Sequence, residues 1–158
     1  MAYRYFEDFA VGETVDLGQC SVSEEEILEF ALRFDPQRFH IDAEHAKKTP
    51  YGGLIASGWH TASLGMRMLV DGLLGDSASM GSPGVEALNW HKPVRPGDTL
   101  RTRITTLESA PSQKHRDRGR IRCKLEMFNQ RDETVLSWVG TIIIGTRPKA
   151  AEIGSPSV

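Results

Sequence analysis

The segment from Gly58 to Leu74 constrains the fold more than any other, because its apolar residues lie on most sides of the predicted helix. This pattern is typical of a helix buried in a core, whereas a surface helix has a single apolar stripe. Gly75 follows as a natural C-terminal stop. We therefore expect other elements to wrap round this helix and to bury its large apolar side chains: Trp59, Met66, Met68, Leu69 and Leu73.

Five strands are predicted in the remaining chain. Four segments after the helix have strand-like sequences, and turn-forming residues separate them. The predicted strands are Val85 to Lys92, Thr99 to Ser109, Arg118 to Asn129 and Thr134 to Thr146. A further strand, Thr14 to Val22, precedes the helices. One strand, then helices, then four strands joined by short loops predict an antiparallel sheet with helices packed on one face, which is an α+β fold.

A helix is also predicted directly after the first strand. Ser23 and Glu26 form a capping box, in which the serine hydroxyl accepts from the N–H three residues later and the glutamate reaches back. Pro36 disfavours helical geometry at the residue before it, so the helix should end at Asp35. Asp35 is therefore expected at the C-terminal edge of this helix.

Length and charge exclude several classes of protein. A chain of 158 residues suits one domain, which we place at residues 1–146, with a flexible tail at 147–158. The formal net charge of -2 gives no general positive field, so neither nucleic acid nor a membrane surface is an expected partner.

Cysteine content and the N-terminal sequence indicate the cytoplasm. Cys20 and Cys123 are far apart in sequence, which excludes a CxxC motif and predicts reduced thiols. The first residues include acidic side chains and glycine where a signal peptide would have an apolar run, and no later segment reaches 18 apolar residues. We therefore predict a cytoplasmic protein.

An irregular covering segment, residues 35–57, contains the densest group of reactive side chains: Asp35, His40, Asp42 and His45. His40, Asp42 and His45 are possible metal ligands, although His40 and His45 do not share a side of a helix or a strand. Alternatively, Asp42 caps a short helix, Asp42 to Lys48, in which His45 faces solvent. Asp35 and His40 form a carboxylate and imidazole pair that can exchange protons near neutral pH.

The residues that lead into the apolar helix suggest a second element of a site. At a helix N-terminus the unpaired N–H groups and the dipole favour negative charge. A carbonyl oxygen near Gly58 would be stabilised there as it became an oxyanion, and glycine has no side chain to keep a substrate away. The alternative is that Gly58 only allows close packing under the sheet.

Together these motifs resemble those of the MaoC-like dehydratases, which include the (R)-specific enoyl-CoA hydratases. The matching features are Asp-x4-His-x-Asp from Asp35, the sequence YGGLIASG that ends at Gly58, and PVRPGDTL from Pro93. The resemblance covers roughly residues 5–146. It implies a hot-dog fold, in which an antiparallel sheet curls round one helix, and a homodimer that acts on an acyl-CoA thioester by adding or removing water.

The resemblance also implies a role for individual residues. Asp35 and His40 match the catalytic acid-base pair, and Gly58 matches the glycine whose N–H holds the thioester oxygen. No cofactor and no metal are implied. Gln37 stands where the hydratases usually have Asn, and Ser57 where they usually have His, so we expect these two residues to position the substrate.

Two other functions remain open at this stage. A hot-dog acyl-CoA thioesterase would release the free thiol, but thioesterases of this fold generally carry a carboxylate on the central helix, and residues 63–70 include none. A non-catalytic module would bind acyl thioesters without changing them.

Overall fold

Five strands form one antiparallel sheet in the order β1, β3, β4, β5, β2. The structure is a computed structural model that describes residues 2–149. The strands are β1 (Thr14–Ser21), β2 (Gly84–Trp90), β3 (Thr99–Pro111), β4 (Arg118–Phe128) and β5 (Thr134–Gly145). All five predicted strands are confirmed, with ends that differ by one or two residues. The predicted tail lies outside the described residues from residue 150 onward.

Three helices precede the long apolar helix. They are α1 (Glu24–Phe34), α2 (Arg38–Ile41) and α3 (Ala43–Lys47). The predicted capping box is present: Ser23 Oγ accepts from the Glu26 N–H at 3.1 Å, and the Ser23 N–H donates to Glu26 Oε2 at 2.8 Å. Asp35 is the C-cap of α1, as predicted from Pro36. The short helix α2 was not predicted, since a single turn leaves almost no periodic pattern in the sequence.

The apolar helix, α4 (Gly58–Gly72), packs against the sheet, and two of its glycines allow a close approach. A Cβ at Gly65 would lie 2.8 Å from the sulfur of Met127, and one at Gly72 would lie 3.1 Å from the Cα of Leu17. Met68, Leu69 and Leu73 are buried, as expected. This antiparallel sheet with a central helix is the predicted α+β, hot-dog arrangement.

The prediction that Trp59 and Met66 are core residues is wrong. Their side chains are 60% and 48% exposed, respectively. The sheet of one chain covers only part of the circumference of α4, so the apolar side chains on the remaining part stay uncovered. The helix also ends two residues earlier than predicted, and a 3-10 turn (Leu74–Asp76) follows it.

Both cysteines are free thiols in the sheet, Cys20 in β1 and Cys123 in β4. Burial raises the pKa of Cys123 to about 11, which keeps it protonated and unreactive. Within residues 2–149, no helix is both long enough and apolar enough to cross a membrane.

Candidate active site

A cavity of about 440 Å³ lies between the covering segment, the start of α4 and the residues at the end of β2. Asp35, Gln37 and His40 line one side, and Gly58 lies at the helix start. Aromatic and apolar groups form much of the remaining wall: Phe39, Tyr51, Ile55, Trp59, Trp90 and Val94. The cavity thus combines a few polar groups with an apolar lining, as small-molecule sites usually do.

Asp35 enters the cavity because α1 ends there and Pro36 directs the chain into the covering segment. Its carboxylate accepts two hydrogen bonds from side chains. Ser57 Oγ donates to Oδ2 at 2.7 Å, and Gln37 Nε2 donates to Oδ1 at 2.8 Å. The side chain is 19% exposed, so the carboxylate is largely enclosed.

His40 lies on α2 and is buried, with 4% exposure. Its Nδ1 is 2.8 Å from the carbonyl oxygen of Ile55. Because a carbonyl oxygen can only accept, Nδ1 carries a proton and donates it, which leaves the lone pair of the neutral ring on Nε2. Nε2 lies 3.3 Å from Asp35 Oδ2. The basic nitrogen of His40 therefore faces the carboxylate.

The surroundings keep Asp35 ionised. Burial raises the pKa of its carboxyl group, but the hydrogen bonds from Ser57 and Gln37 and the nearby His40 together outweigh burial, so the pKa is lower than usual. At neutral pH the cavity consequently holds a fixed negative charge beside an imidazole.

Gly58 is the first residue of α4, and the indole of Trp90 lies directly against it. A Cβ at Gly58 would be only 2.5 Å from two atoms of that indole, so no larger residue fits without a shift. Among the described residues, the N–H groups of Gly58, Trp59 and His60 make no hydrogen bond. The N-terminus of α4 is therefore open beside the cavity.

The residues predicted from sequence to form the site lie close together. Asp35, Gln37, His40 and Gly58 line the cavity, whereas Ser57 lies behind its wall, where its hydroxyl contacts Asp35. The possible metal ligands do not come together: no group of three or more His, Cys, Asp or Glu suitable for a metal is found in residues 2–149.

Asp42 instead caps α3 by accepting from the His45 N–H at 2.9 Å, as the alternative interpretation predicted. The wall residues Tyr51, Trp90 and Val94 were not predicted as part of a site. Their side chains reach the cavity through long-range contacts that have no local pattern in the sequence.

Comparisons with known proteins show the family and the fold to which the chain is similar. The model of the MaoC like domain family matches residues 8–124. The 3-hydroxybutyryl-CoA dehydratase of Methylorubrum extorquens is 31% identical over 147 residues, which cover 92% of this chain and 87% of the relative. The (R)-specific enoyl-CoA hydratase of Rhodospirillum rubrum is 29% identical over 117 residues, or 70% of this chain and 75% of the relative.

Among solved structures, the MaoC-like dehydratase from Rhodospirillum rubrum is similar with a TM-score of 0.86 and 41% identity. The match covers 92% of this chain and 99% of that chain. The likeness therefore extends over nearly the whole of both molecules.

Proposed function

The chain belongs to the MaoC-like domain family, and on this premise we propose that it adds water to a trans-2-enoyl-CoA or removes it from an (R)-3-hydroxyacyl-CoA. The names of two relatives, a 3-hydroxybutyryl-CoA dehydratase and an (R)-specific enoyl-CoA hydratase, support this reaction class. The observation that carries the proposal is the pair of Asp35 and His40, 3.3 Å apart, in a cavity beside the open start of α4.

The proposed reaction needs one acid-base pair and one site for negative charge. In hydration, the water oxygen bonds to C3 of the enoyl thioester while a proton leaves the water for the pair of Asp35 and His40. The electrons of the C2–C3 double bond move toward the thioester oxygen and form an enolate. The pair then returns a proton to C2, so that its own protonation state is restored. Dehydration follows the same steps in reverse.

The geometry of His40 suits the transfer of a proton from water. Nδ1 donates to the Ile55 carbonyl, so Nε2 is the ring nitrogen that can accept a proton. Nε2 faces Oδ2 of Asp35, which also can only accept while it is ionised. Two acceptors this close favour either a proton between them or a water molecule that donates to both. A water held in this way is oriented and can lose a proton to Nε2.

The start of α4 suits the negative charge that develops on the thioester oxygen. The N–H of Gly58 would donate to this oxygen, and the positive end of the helix dipole would add to the stabilisation. The first turn of α4 contains no acidic residue that would compete for the same N–H groups. In other enzymes, the loss of one such donor costs about 2.7 to 4 kcal/mol of transition-state stabilisation.

The reaction can be tested with crotonyl-CoA and longer enoyl-CoAs. Hydration removes the double bond conjugated to the thioester, so the absorbance of that chromophore should fall when the purified protein is added. We expect Asp35→Asn and His40→Gln each to lower kcat by about 10²- to 10⁴-fold, which is the usual contribution of a positioned acid-base group. Absence of turnover with every enoyl-CoA would contradict the proposal.

Matched controls come from the same segment. Asp42→Asn and His45→Gln make the same chemical changes outside the cavity, and Asn is as good a helix cap as Asp. Both should leave kcat unchanged. Release of free thiol from a saturated acyl-CoA would indicate a thioesterase instead. Acyl-CoA binding without turnover, equal in the parent protein and in Asp35→Asn, would indicate a binding module.

We also propose that the chain acts as a homodimer. β2 is an edge strand, and Val85 and Trp90 on it are 55% and 46% exposed. The uncovered Trp59 lies against Trp90, with ring centroids 5.2 Å apart. A second copy on this edge would cover the apolar side chains and the unpaired backbone groups together. Light scattering should give the mass of a dimer, and the mass of one chain would contradict the proposal.

A further inference from the structure

Ser57 stands at the N-cap of α4 but its side chain does not cap the helix. A serine at this position usually accepts a hydrogen bond from the N–H two or three residues later. The Ser57 hydroxyl instead donates to Oδ2 of Asp35 at 2.7 Å, and the residue is fully buried, with 0% exposure. The hydroxyl therefore bonds to a carboxylate that lies 22 positions earlier in the sequence.

The Asp35 carboxylate is held from both ends. Ser57 donates to Oδ2 and Gln37 donates to Oδ1, so rotation of the carboxylate would break both hydrogen bonds. Such bonds to an ionised acceptor are stronger than those between neutral groups. In this fixed orientation, Oδ2 is also the oxygen that faces Nε2 of His40. The two donors thus fix the orientation of the carboxylate plane relative to the imidazole.

The same arrangement keeps the helix end open. If the Ser57 hydroxyl capped α4, it would occupy an N–H of the first turn. Because it points to Asp35, the N–H groups of Gly58, Trp59 and His60 are without a hydrogen-bond partner in the part of the chain that is described. The Ser57 side chain therefore affects both parts of the proposed site: it holds Asp35, and it leaves the N–H groups at the start of α4 open.

We propose that Ser57 is a positioning residue for Asp35, supported by Gln37, and that it holds the ionised carboxylate in the orientation that pairs Oδ2 with His40. This role rests on the proposed hydration, since it gives the acid-base pair its geometry. Ser57 acts through Asp35 and not on the substrate, because its side chain lies behind the cavity wall.

Other charged groups near Asp35 are few. His40, from α2, is the titratable side chain in contact with it. Three further titratable groups line the same cavity: Tyr51, His91 and Lys92. Lys92 is paired with Glu133 at 2.7 Å. The ionisation of Asp35 should therefore depend on its burial, which raises the pKa, and on the hydrogen bonds and His40, which lower it.

The variant Ser57→Ala tests the proposal, with two measurements. The first is kcat and KM for crotonyl-CoA, and the second is the titration of the Asp35 carboxyl carbon by NMR. Without the hydroxyl, the charged form of Asp35 loses a donor, so its pKa should rise. We expect kcat to fall by about tenfold with KM nearly unchanged, because a hydrogen bond to a charged group is lost and no contact to the substrate is removed.

Ser23→Ala is the matched control, since it changes the same residue type at an exposed N-cap, at the opposite end of α1 from Asp35 and outside the cavity lining. It should leave both kcat and the Asp35 titration unchanged. Gln37→Leu should raise the pKa of Asp35 in the same direction as Ser57→Ala, and this second variant remains informative if Ser57→Ala does not fold.

The outcomes separate this role from the proposed function. A fall in kcat without any rise in the Asp35 pKa would overturn the positioning role, as would an unchanged kcat in an active enzyme. If the parent protein hydrates no enoyl-CoA, the proposed function fails, but the titration still decides whether Ser57 holds Asp35: a raised pKa supports the contact and an unchanged pKa overturns it.

Discussion

Two helices in the described part of the chain begin after a serine, yet the two helix starts differ in burial, capping and charge. Ser23, before α1, is exposed and forms a reciprocal capping box with Glu26. Ser57, before α4, is fully buried and leaves its helix uncapped. Capping is worth about 1 kcal/mol to a helix. The chain thus uses the first serine for stability and gives up that contribution at the second, where the open end borders a cavity.

The first turns of the two helices also differ in the charge of their side chains. The first turn of α1 is Glu24, Glu25 and Glu26, which complements the positive end of the helix dipole. The first turn of α4 has no acidic residue of its own, and the negative charge beside this helix start is that of Asp35, which the N-cap Ser57 contacts at 2.7 Å. An electronegative atom of a ligand is the natural partner for such an end. In the proposed function, the uncapped start of α4 is the end that binds the thioester oxygen.

Among the variants that test the difference between the two helix starts, Gly58→Ala, at the start of α4, should have the largest effect on the rate. The new Cβ would lie 2.5 Å from the Trp90 indole, so either the ring or the start of α4 must move. Displacements near 1 Å at a site can lower rates by about 10²-fold, and we expect a loss of this size in kcat/KM for crotonyl-CoA. A variant that keeps the parent rate would show that the close fit of Gly58 against Trp90 is not needed.

A second glycine on the same helix provides the control. At Gly65 the added Cβ would meet the sulfur of Met127 at 2.8 Å, which is the flexible end of a side chain that can move aside. Gly65→Ala should therefore retain activity, although thermal unfolding will report any cost in stability. Removing the indole in the double variant Gly58→Ala, Trp90→Ala should restore part of the rate if the collision is the cause of the loss.

The capped start of α1 was fully predictable from sequence, whereas for the open start of α4 only its position at Gly58 was predicted and its side-chain contacts were not. The capping box spans four residues, and the end of α1 follows from Pro36 alone, so both depend on local geometry. The bond from Ser57 to Asp35 and that from His40 to the Ile55 carbonyl join residues 22 and 15 apart. Such contacts depend on how the covering segment folds over α4, which no local pattern specifies.

Which side chains of α4 the sheet covers could also be predicted only in part. The pattern of α4 predicted a buried helix correctly for Met68 and Leu69, but it could not show that the sheet leaves Trp59 uncovered. Nor could it indicate that Trp90, at the end of an edge strand, lies against Gly58. Which apolar residues are covered depends on tertiary packing, whereas periodicity reports only that a face is apolar.

The smallest expected effect is that of pH on the stability of the capped start of α1. The N–H and the hydroxyl of Ser23 lower the pKa of Glu26 from its ordinary 4.5, burial opposes them, and nearby His60 adds a smaller lowering. A carboxyl group whose pKa is lowered in the folded state stabilises the protein above its unfolded pKa, and this stability is lost as the pH falls through the folded pKa. The capping box should therefore weaken below about pH 4.5.

Glu26→Gln isolates this contribution, because glutamine can complete a capping box without a charge that titrates. Urea unfolding of the parent and the variant should show a difference in the free energy of unfolding that is constant above about pH 5 and shrinks toward pH ~3. The kcat of the variant should match that of the parent, since Glu26 is not among the residues that line the cavity. If the difference in the free energy of unfolding stayed constant over the whole pH range, the charge of Glu26 would not stabilise the capped start of α1.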